Sequence, residues 1–391
     1  MKKRQFLQCA IAGVCLAGMS MPAAWAQSDS IKIGLVLPMT GPFASTGKQI
    51  SAAVKLFVAQ NGDKVAGKKV EVVLKDDGGV PDNTRRIAQE LVVNDKVAVL
   101  AGFGLTPLAF ATAPLATQSK TPMVVMAAAT SSITEASPFI IRTSYTLPQT
   151  TLAMADWATK NKITKVVTLV SDYGPGADAE KSFKKRFIGN GGQVMAELRV
   201  PLANPDFAPF LQKVRDLSPE ALFVFVPSGA GSALMKQFAE RGLDKAGIRI
   251  IGDGGVTEDD ILEGIGDTAL GVVTAFHYSS ARNTPTNKKF VDAYKKANNG
   301  ARPNFMAVGG YDGMHVIYDA LKKTNGARGE TLLNAMKGQV FESPRGPILI
   351  DMQTRDIVQN IYIHKVEKVG GELYNVEIDK LTGVKDPGKQ K

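Results

Sequence analysis

"IKIGLVLPMTGPFASTGKQISAAVKLFVAQN", Ile31 to Asn61, contains one short apolar run, one polar turn and one helical pattern. "IKIGLVLP" is apolar at nearly every position, as a strand buried on both faces of a parallel sheet requires. "GKQISAAVKLFVAQN" places its apolar residues at helical spacing. The turn between them, "PMTGPFASTGKQ", looks at first like a phosphate-cradling loop. A P-loop has four residues between its glycines, and here Pro42 to Thr46 separate Gly41 from Gly47. Gln49 follows Lys48 where a magnesium-binding Ser or Thr is needed, and Pro42 removes an N–H from the cradle. The stretch is a strand-to-helix turn, able to hold an uncharged or carboxylate ligand.

The same strand–helix unit recurs along the chain. "KKVEVVLKD" from Lys68, "VAVLAG" from Val97 and "PMVVMA" from Pro122 are further strands, with helices starting near Gly47, Pro81 and Thr106. The series restarts with "KVVTLVSD" from Lys165, "GGQVMAELRV" from Gly191, "EALFVFVP" from Glu220 and "GIRIIGD" from Gly247. The alternation predicts an α/β fold with parallel sheets in two similar lobes, joined near Arg142 to Gln149. The end is less regular: two helical runs, a last pair of strands, and a lysine-rich "GVKDPGKQK" read as a frayed tail.

Residues 1–26 read as a cleavable export signal. Lys2, Lys3 and Arg4 precede an apolar core, and "AWA" offers a small-x-small cleavage site. Both cysteines, Cys9 and Cys15, fall inside it, so the chain beyond it has neither disulfide nor thiol. The net charge is +10, but its lysines are scattered and no basic run is interleaved with aromatics, which argues against a nucleic-acid groove. His277, His315 and His364 lie outside any metal-ligand spacing, and no nucleophile elbow is present. We expect no metal, no cofactor and no enzymatic activity.

In parallel α/β sheets, ligands sit beyond the carboxyl ends of the strands. Those ends carry small polar residues and flexible turns: Thr40 to Thr46, "GFGLT" to Thr106, "AAATSS" around Thr130, "SDYGPG" around Tyr173, "PSGAG" and "GDGGVTED". Thr106 and Thr130 stand near helix starts, where open N–H groups and the helix dipole suit a carboxylate. Plain helix caps would look the same. Tyr173 is placed either to close over a ligand or simply to pack.

Taken in order, "IKIGLVLPMTGPFASTGKQISAAVKLFV", "KKVEVVLKDDGGVPDNTRRIAQELV", "VAVLAGFGLTPLAFATAPLA", "TPMVVMAAATSSIT", "VSDYGPGADAEKSFKKRF", "RVPLANPDFAPFLQKV" and "GGYDGMHVIYDALKKT" resemble the Leu/Ile/Val-binding family of ABC-transporter periplasmic binding proteins. The resemblance covers essentially all of the chain after residue 26. It implies a type I fold: two Rossmann-like lobes joined by three hinge crossovers and closing on a small ligand. The N-terminal lobe would comprise 27–145 and 275–348, the C-terminal lobe 146–274 and 349–391. By position, Thr46 would cover the ligand side chain and Thr106 would take its α-carboxylate. Ala128 and Thr130 would flank carboxylate and ammonium, and Tyr173 would close from the other lobe.

Two positions depart. Ser228 stands where the family has a second tyrosine. Gly254 stands where branched-chain binders often place an ammonium-pairing glutamate, with Asp253 beside it as a substitute. The resemblance implies a monomeric, periplasmic receptor serving an inner-membrane ABC permease. Its ligand would be a branched-chain amino acid or related carboxylate. Aromatic acids, small amides or urea are the alternative ligands, and a sensory ligand-binding module is the alternative role.

Overall fold

The computed structural model describes residues 30–227 and 229–389. The export signal expected over 1–26 lies outside these residues, as does Ser228. The first sheet is built from β1 (Ile31–Leu37), β2 (Lys64–Val65), β3 (Lys68–Asp76), β4 (Val99–Gly102), β5 (Met123–Val125) and β6 (Ile140–Arg142), in the order β2-β3-β1-β4-β5-β6. All its pairings are parallel except that of the short β2 with β3. Helices α1 (Ala44–Asn61), α2 (Pro81–Val93) and α3 (Thr106–Ser119) connect the strands.

The chain then crosses to the second sheet through α4 (Leu147–Lys160). This sheet contains β7 (Lys165–Ser171), β8 (Gln193–Val200), β9 (Ala221–Phe225), β10 (Arg249–Asp253) and β11 (Val273–Phe276), ordered β8-β7-β9-β10-β11 and all parallel. Between its strands run α5 (Gly174–Gly189), α6 (Ala208–Leu217), α7 (Ala230–Glu240) and the short α8 (Leu262–Ile265). The parallel strands of the two sheets follow one scheme, in which the first strand separates the second from the third. That reversal is the switch point where α/β proteins open a crevice.

A second crossover leads to α9 (Pro285–Ala297), α10 (Phe305–Lys323) and α11 (Gly329–Met336). These helices return to the first lobe, where α9 and α10 pack on α1. A third crossover leads to β12 (Val340–Ser343), β13 (Gly346–Ile350), β14 (Ile357–Val369) and β15 (Glu372–Val384), which extend the second sheet antiparallel to its edge. The sheet faces are apolar and buried, with Ile33, Leu35 and Leu100 in one sheet and Val167, Leu169 and Val224 in the other.

Two local expectations need correction. Helix α1 starts at Ala44, three residues before Gly47, so Thr46 belongs to its first turn and not to the loop. A Cβ on Gly47 would lie 2.3 Å from the carbonyl oxygen of Pro38, so only glycine lets the helix begin this close to the turn. The C-terminal segment is not frayed as far as Lys389 either. β15 runs to Val384, and beyond it Asp386 accepts hydrogen bonds from Ser131 and Thr146 while Lys389 bonds Thr134 and Asp356. Its lysine content suggested solvation, but two of its charges have buried partners.

Candidate binding cleft

The first lobe contributes the ends of β1, β4 and β5 to the cleft. Asp76, at the end of β3, accepts from Met39 N (2.9 Å) and Thr40 Oγ1 (2.7 Å) and so fixes the turn that leads to Thr46. After β4 the chain turns into α3 with Leu105 at the N-cap and Thr106 as the first helical residue. Pro107 follows, preset for a first helical turn. Neither Thr106 nor Thr130 caps a helix with its side chain. Their hydroxyl oxygens meet each other at 3.0 Å. One hydroxyl therefore keeps a proton to donate elsewhere, at the positive end of a helix dipole.

Arg142 organises the loop behind this pair. It is fully buried at the end of β6 and pairs through Nε with Asp356 at 2.8 Å. Its other nitrogens donate to the carbonyls of Tyr145 (3.0 Å), Thr130 (2.7 Å), Ser131 (3.3 Å) and Ala128 (3.4 Å). The Ala128 carbonyl also accepts from Ser144 Oγ at 3.1 Å, and the Ala128 N–H is donated to Phe103. Both lone-pair sites of that carbonyl are thus engaged.

The second lobe faces this wall with acidic and aromatic groups. Tyr173, at the N-cap of α5, lies nearly parallel to Phe225, 6.2 Å between ring centres. Asp253 is buried at the end of β10. It accepts from Gly255 N (3.1 Å), Thr150 Oγ1 (2.9 Å) and, more weakly, Tyr145 Oη (3.4 Å). Burial outweighs these hydrogen bonds and pushes its carboxyl up to about 7. Burial, joined by the charge of Asp253, pushes the phenols of Tyr145 and Tyr173 well above their ordinary value, so both are proton donors at neutral pH. At Gly254 a Cβ would stand 2.3 Å from the ring of Phe276. The place where a glutamate side chain would start is filled by an aromatic ring.

Between the walls lies a cavity of about 40 Å³. A single water requires about 10–15 Å³ on the same measure, so the space suits a compact small molecule. Thr46, Thr106, Ala128, Tyr173 and Asp253 line it together. Thr130 stands just behind Thr106. Sequence reasoning missed Tyr145, Phe305 and Met306, which also line the cavity, and marked Glu258 only as part of the strand-end stretch "GDGGVTED". Tyr145 sits in the crossover segment, which reads in sequence only as a joint. Phe305 and Met306 open α10, a helix whose periodicity does not say where its start points.

Chemically the cleft offers a hydroxyl pair at a helix N-terminus, buried carboxylates opposite, and apolar and aromatic sides. Among the described residues no cluster of His, Cys, Asp and Glu is arranged to hold a metal ion, and no helix is long and apolar enough to cross a membrane.

The chain is similar to known proteins over nearly its whole length. Residues 30–371 match the family model described as periplasmic binding protein. The Leu/Ile/Val-binding protein homolog 6 of Brucella abortus is 43% identical, over 97% of this chain and 98% of that one. A solute-binding protein of an ABC transporter from Rhodopseudomonas palustris BisB5, in complex with 3,4-dihydroxybenzoic acid, is 63% identical with a TM-score of 0.91, over 93% of this chain and 100% of that one. A second from R. palustris HaA2, in complex with p-hydroxybenzoic acid, is 40% identical with a TM-score of 0.89, over 92% and 99%. Two matched α/β lobes, a ligand-sized cavity at both switch points and this similarity lead to one conclusion: the chain belongs to the periplasmic binding protein family, the substrate-binding components of transporters.

Proposed function

We propose that the cleft binds an aromatic acid bearing ring hydroxyls, of the hydroxybenzoate and dihydroxybenzoate class, for delivery to an inner-membrane ABC permease. The observation that carries this reading is the pairing of a donor pole with a buried acceptor across one small aromatic-walled cavity. The ligand carboxylate meets the Thr106–Thr130 pair and the α3 N-terminus. The ring lies among Tyr173, Phe225 and Phe305, and a ring hydroxyl donates to Asp253. Two features weigh against an α-ammonium: the Ala128 carbonyl is saturated, and Phe276 closes position 254. The two R. palustris relatives, crystallised with hydroxylated benzoates, support the same class.

A branched-chain amino acid is the second reading. It is favoured by the buried carboxylates of Asp253 and Glu258, which would pair an ammonium, and by the name of the B. abortus relative. Titration calorimetry on protein unfolded and refolded to strip carried-over ligand separates the two. We expect 3,4-dihydroxybenzoate and 4-hydroxybenzoate to bind, benzoate to bind more weakly, and leucine weakest. Tight leucine binding with no heat from the benzoates would overturn the proposal.

The surrounding assignments follow from this role. Residues 1–26 act as a cleavable signal that places the protein in the periplasm, where it works as a monomer. The lobes exchange at 143–146, 277–284 and 337–339. On this reading β11, β12 and β13, which pair within the second sheet, belong to the second lobe.

A further inference from the structure

One residue touches both lobes with different atoms of the same amide. Asn304 is buried at the N-cap of α10 in the first lobe, where its Oδ1 accepts from Met306 N (2.9 Å) and Ala307 N (3.3 Å). That choice of orientation turns Nδ2 across the cleft, where it donates to Glu258 Oε2 (3.2 Å) and Asp260 Oδ1 (3.0 Å) in the loop after β10. Glu258 lines the ligand cavity. The segment is pinned to the first lobe by Gln49 on α1, which accepts from Asn304 N (3.2 Å) and donates to the Arg302 carbonyl (3.1 Å).

Arg302, two residues earlier, makes the same crossing. Its guanidinium donates to the Leu373 carbonyl (2.6 Å), Glu263 (2.9 Å) and Glu372 (2.8 Å), and lies 4.0 Å from the centre of the Tyr374 ring. From α1, Ser45 Oγ reaches Asp260 at 3.1 Å. The rim of the cleft beside α10 thus joins the lobes through groups that need no ligand to meet.

We infer that Asn304 is a positioning residue for the cleft: it clasps the lobes together, making its clasp bonds only when the lobes approach. The inference rests on the cavity being the ligand site. Lobe closure in this family is expected to depend on contacts the ligand makes to both sides. Here part of that work is done by a residue of the protein, so the closed form is favoured before ligand arrives, and affinity is raised without a change in selectivity.

Asn304→Asp tests this, because Asp caps a helix as well as Asn does but replaces the cross-cleft donor with a third carboxylate facing Glu258 and Asp260. Asn304→Ser keeps a cap and removes the reach. The probes are 3,4-dihydroxybenzoate and 4-hydroxybenzoate by calorimetry, with small-angle scattering and thermal melting of the ligand-free proteins. For Asn304→Asp we expect both dissociation constants to rise by the same factor, about tenfold or more, since hydrogen bonds to charged groups are the stronger kind. Its radius of gyration should increase without ligand, and Asn304→Ser should fall between it and the wild type.

Dissociation constants within twofold of wild type in Asn304→Asp, or a change for one probe only, would overturn the clasp. So would a fall in melting temperature with an unchanged radius of gyration, which would reduce Asn304 to a helix cap. If the wild type binds neither probe, the ligand assignment fails instead. The scattering of the ligand-free proteins then decides the clasp, and an equal radius in all three overturns it.

Discussion

The two walls of the cleft are built from opposite chemistry. The first-lobe wall presents Thr46, Thr106 and Ala128, without an ionisable side chain among them, and draws its positive character from the end of α3. The second-lobe wall presents buried carboxylates and phenols. On the proposed function, the first wall favours any small anion with little regard to the rest of it. The second would discriminate, since a buried carboxylate left without a donor is costly. The difference predicts that affinity and selectivity can be changed separately, one wall at a time.

The largest effect should come from behind the first wall. Arg142→Met removes the guanidinium that holds four loop carbonyls and strips the buried Asp356 of one of its two cationic partners, leaving Lys389. Breaking a buried pair from one side costs about 3–5 kcal/mol, and the Lys389 that stays beside Asp356 places the loss at the lower end of that range. Denaturant unfolding should show a loss of that order, with binding of every ligand lost together. A loss below about 1 kcal/mol, the range of an exposed pair, would mean that the first wall stands without Arg142.

The second wall should reveal itself by pH. The Asp253 carboxyl titrates near 7 when folded and near 3.8 as an unperturbed side chain. Between those values the folded state holds the extra proton, so the contribution of this residue to stability falls as pH rises from about 4 to about 7. Asp253→Asn removes the titration. The stability of this variant relative to wild type should therefore rise by a few kcal/mol from pH 4 to pH 7.5, at about 1.4 kcal/mol for each pH unit between the two titration points. Asp259, pushed up to about 6 mainly by burial, drives a similar but shorter decline that the variant leaves in place. The same substitution should weaken hydroxylated benzoates and spare benzoate. A pH-independent difference in stability would show that Asp253 stays charged throughout.

A smaller and broader effect belongs to Thr106→Ala. Losing a hydrogen bond to a charged group costs about 1.5–3 kcal/mol, so affinity for every carboxylate ligand should fall tenfold or more by calorimetry. The ratio between hydroxylated and plain benzoates should stay fixed, and Thr106→Ser should restore most of the loss. A shifted ratio would mean that the two walls do not divide the work as described.

The sequence disclosed the first wall more fully than the second. Thr46, Thr106 and Ala128 follow short apolar strands, and the chemistry of parallel sheets places such residues at the crevice without knowledge of distant contacts. Tyr173 and Asp253 were legible for the same reason. Glu258 was marked only as part of a strand-end stretch, and Tyr145, Phe305 and Asn304 were not legible, because they reach the cleft from crossovers and a helix start. Arg142 was hidden for another reason. It closes a strand whose "IIR" reads as ordinary, and its role depends on Asp356, more than two hundred residues later. Local periodicity carries no information about such a pairing.

The C-terminal segment yields the smallest prediction and the sharpest contrast with its sequence. "GVKDPGKQK" has the composition of a solvated tail, yet Asp386 holds the Ser131 and Thr146 hydroxyls and Gly388 N. Ser131 is the neighbour of Thr130, and its N–H is donated to Asp178 of the second lobe at 2.9 Å. Asp386 thus steadies the loop that supports the donor pole, from outside the cavity. Asp386→Asn leaves one carbonyl oxygen for donors that now share two, a loss of about 1 kcal/mol. That loss should appear in denaturant unfolding, and affinity for carboxylate ligands of either kind should fall by no more than about fivefold, the whole of that energy if it were carried into binding. Because Asp386 touches neither wall, the preference for ring hydroxyls should not move. If it does, the support behind the first wall also shapes the second, and the two must be treated as one site.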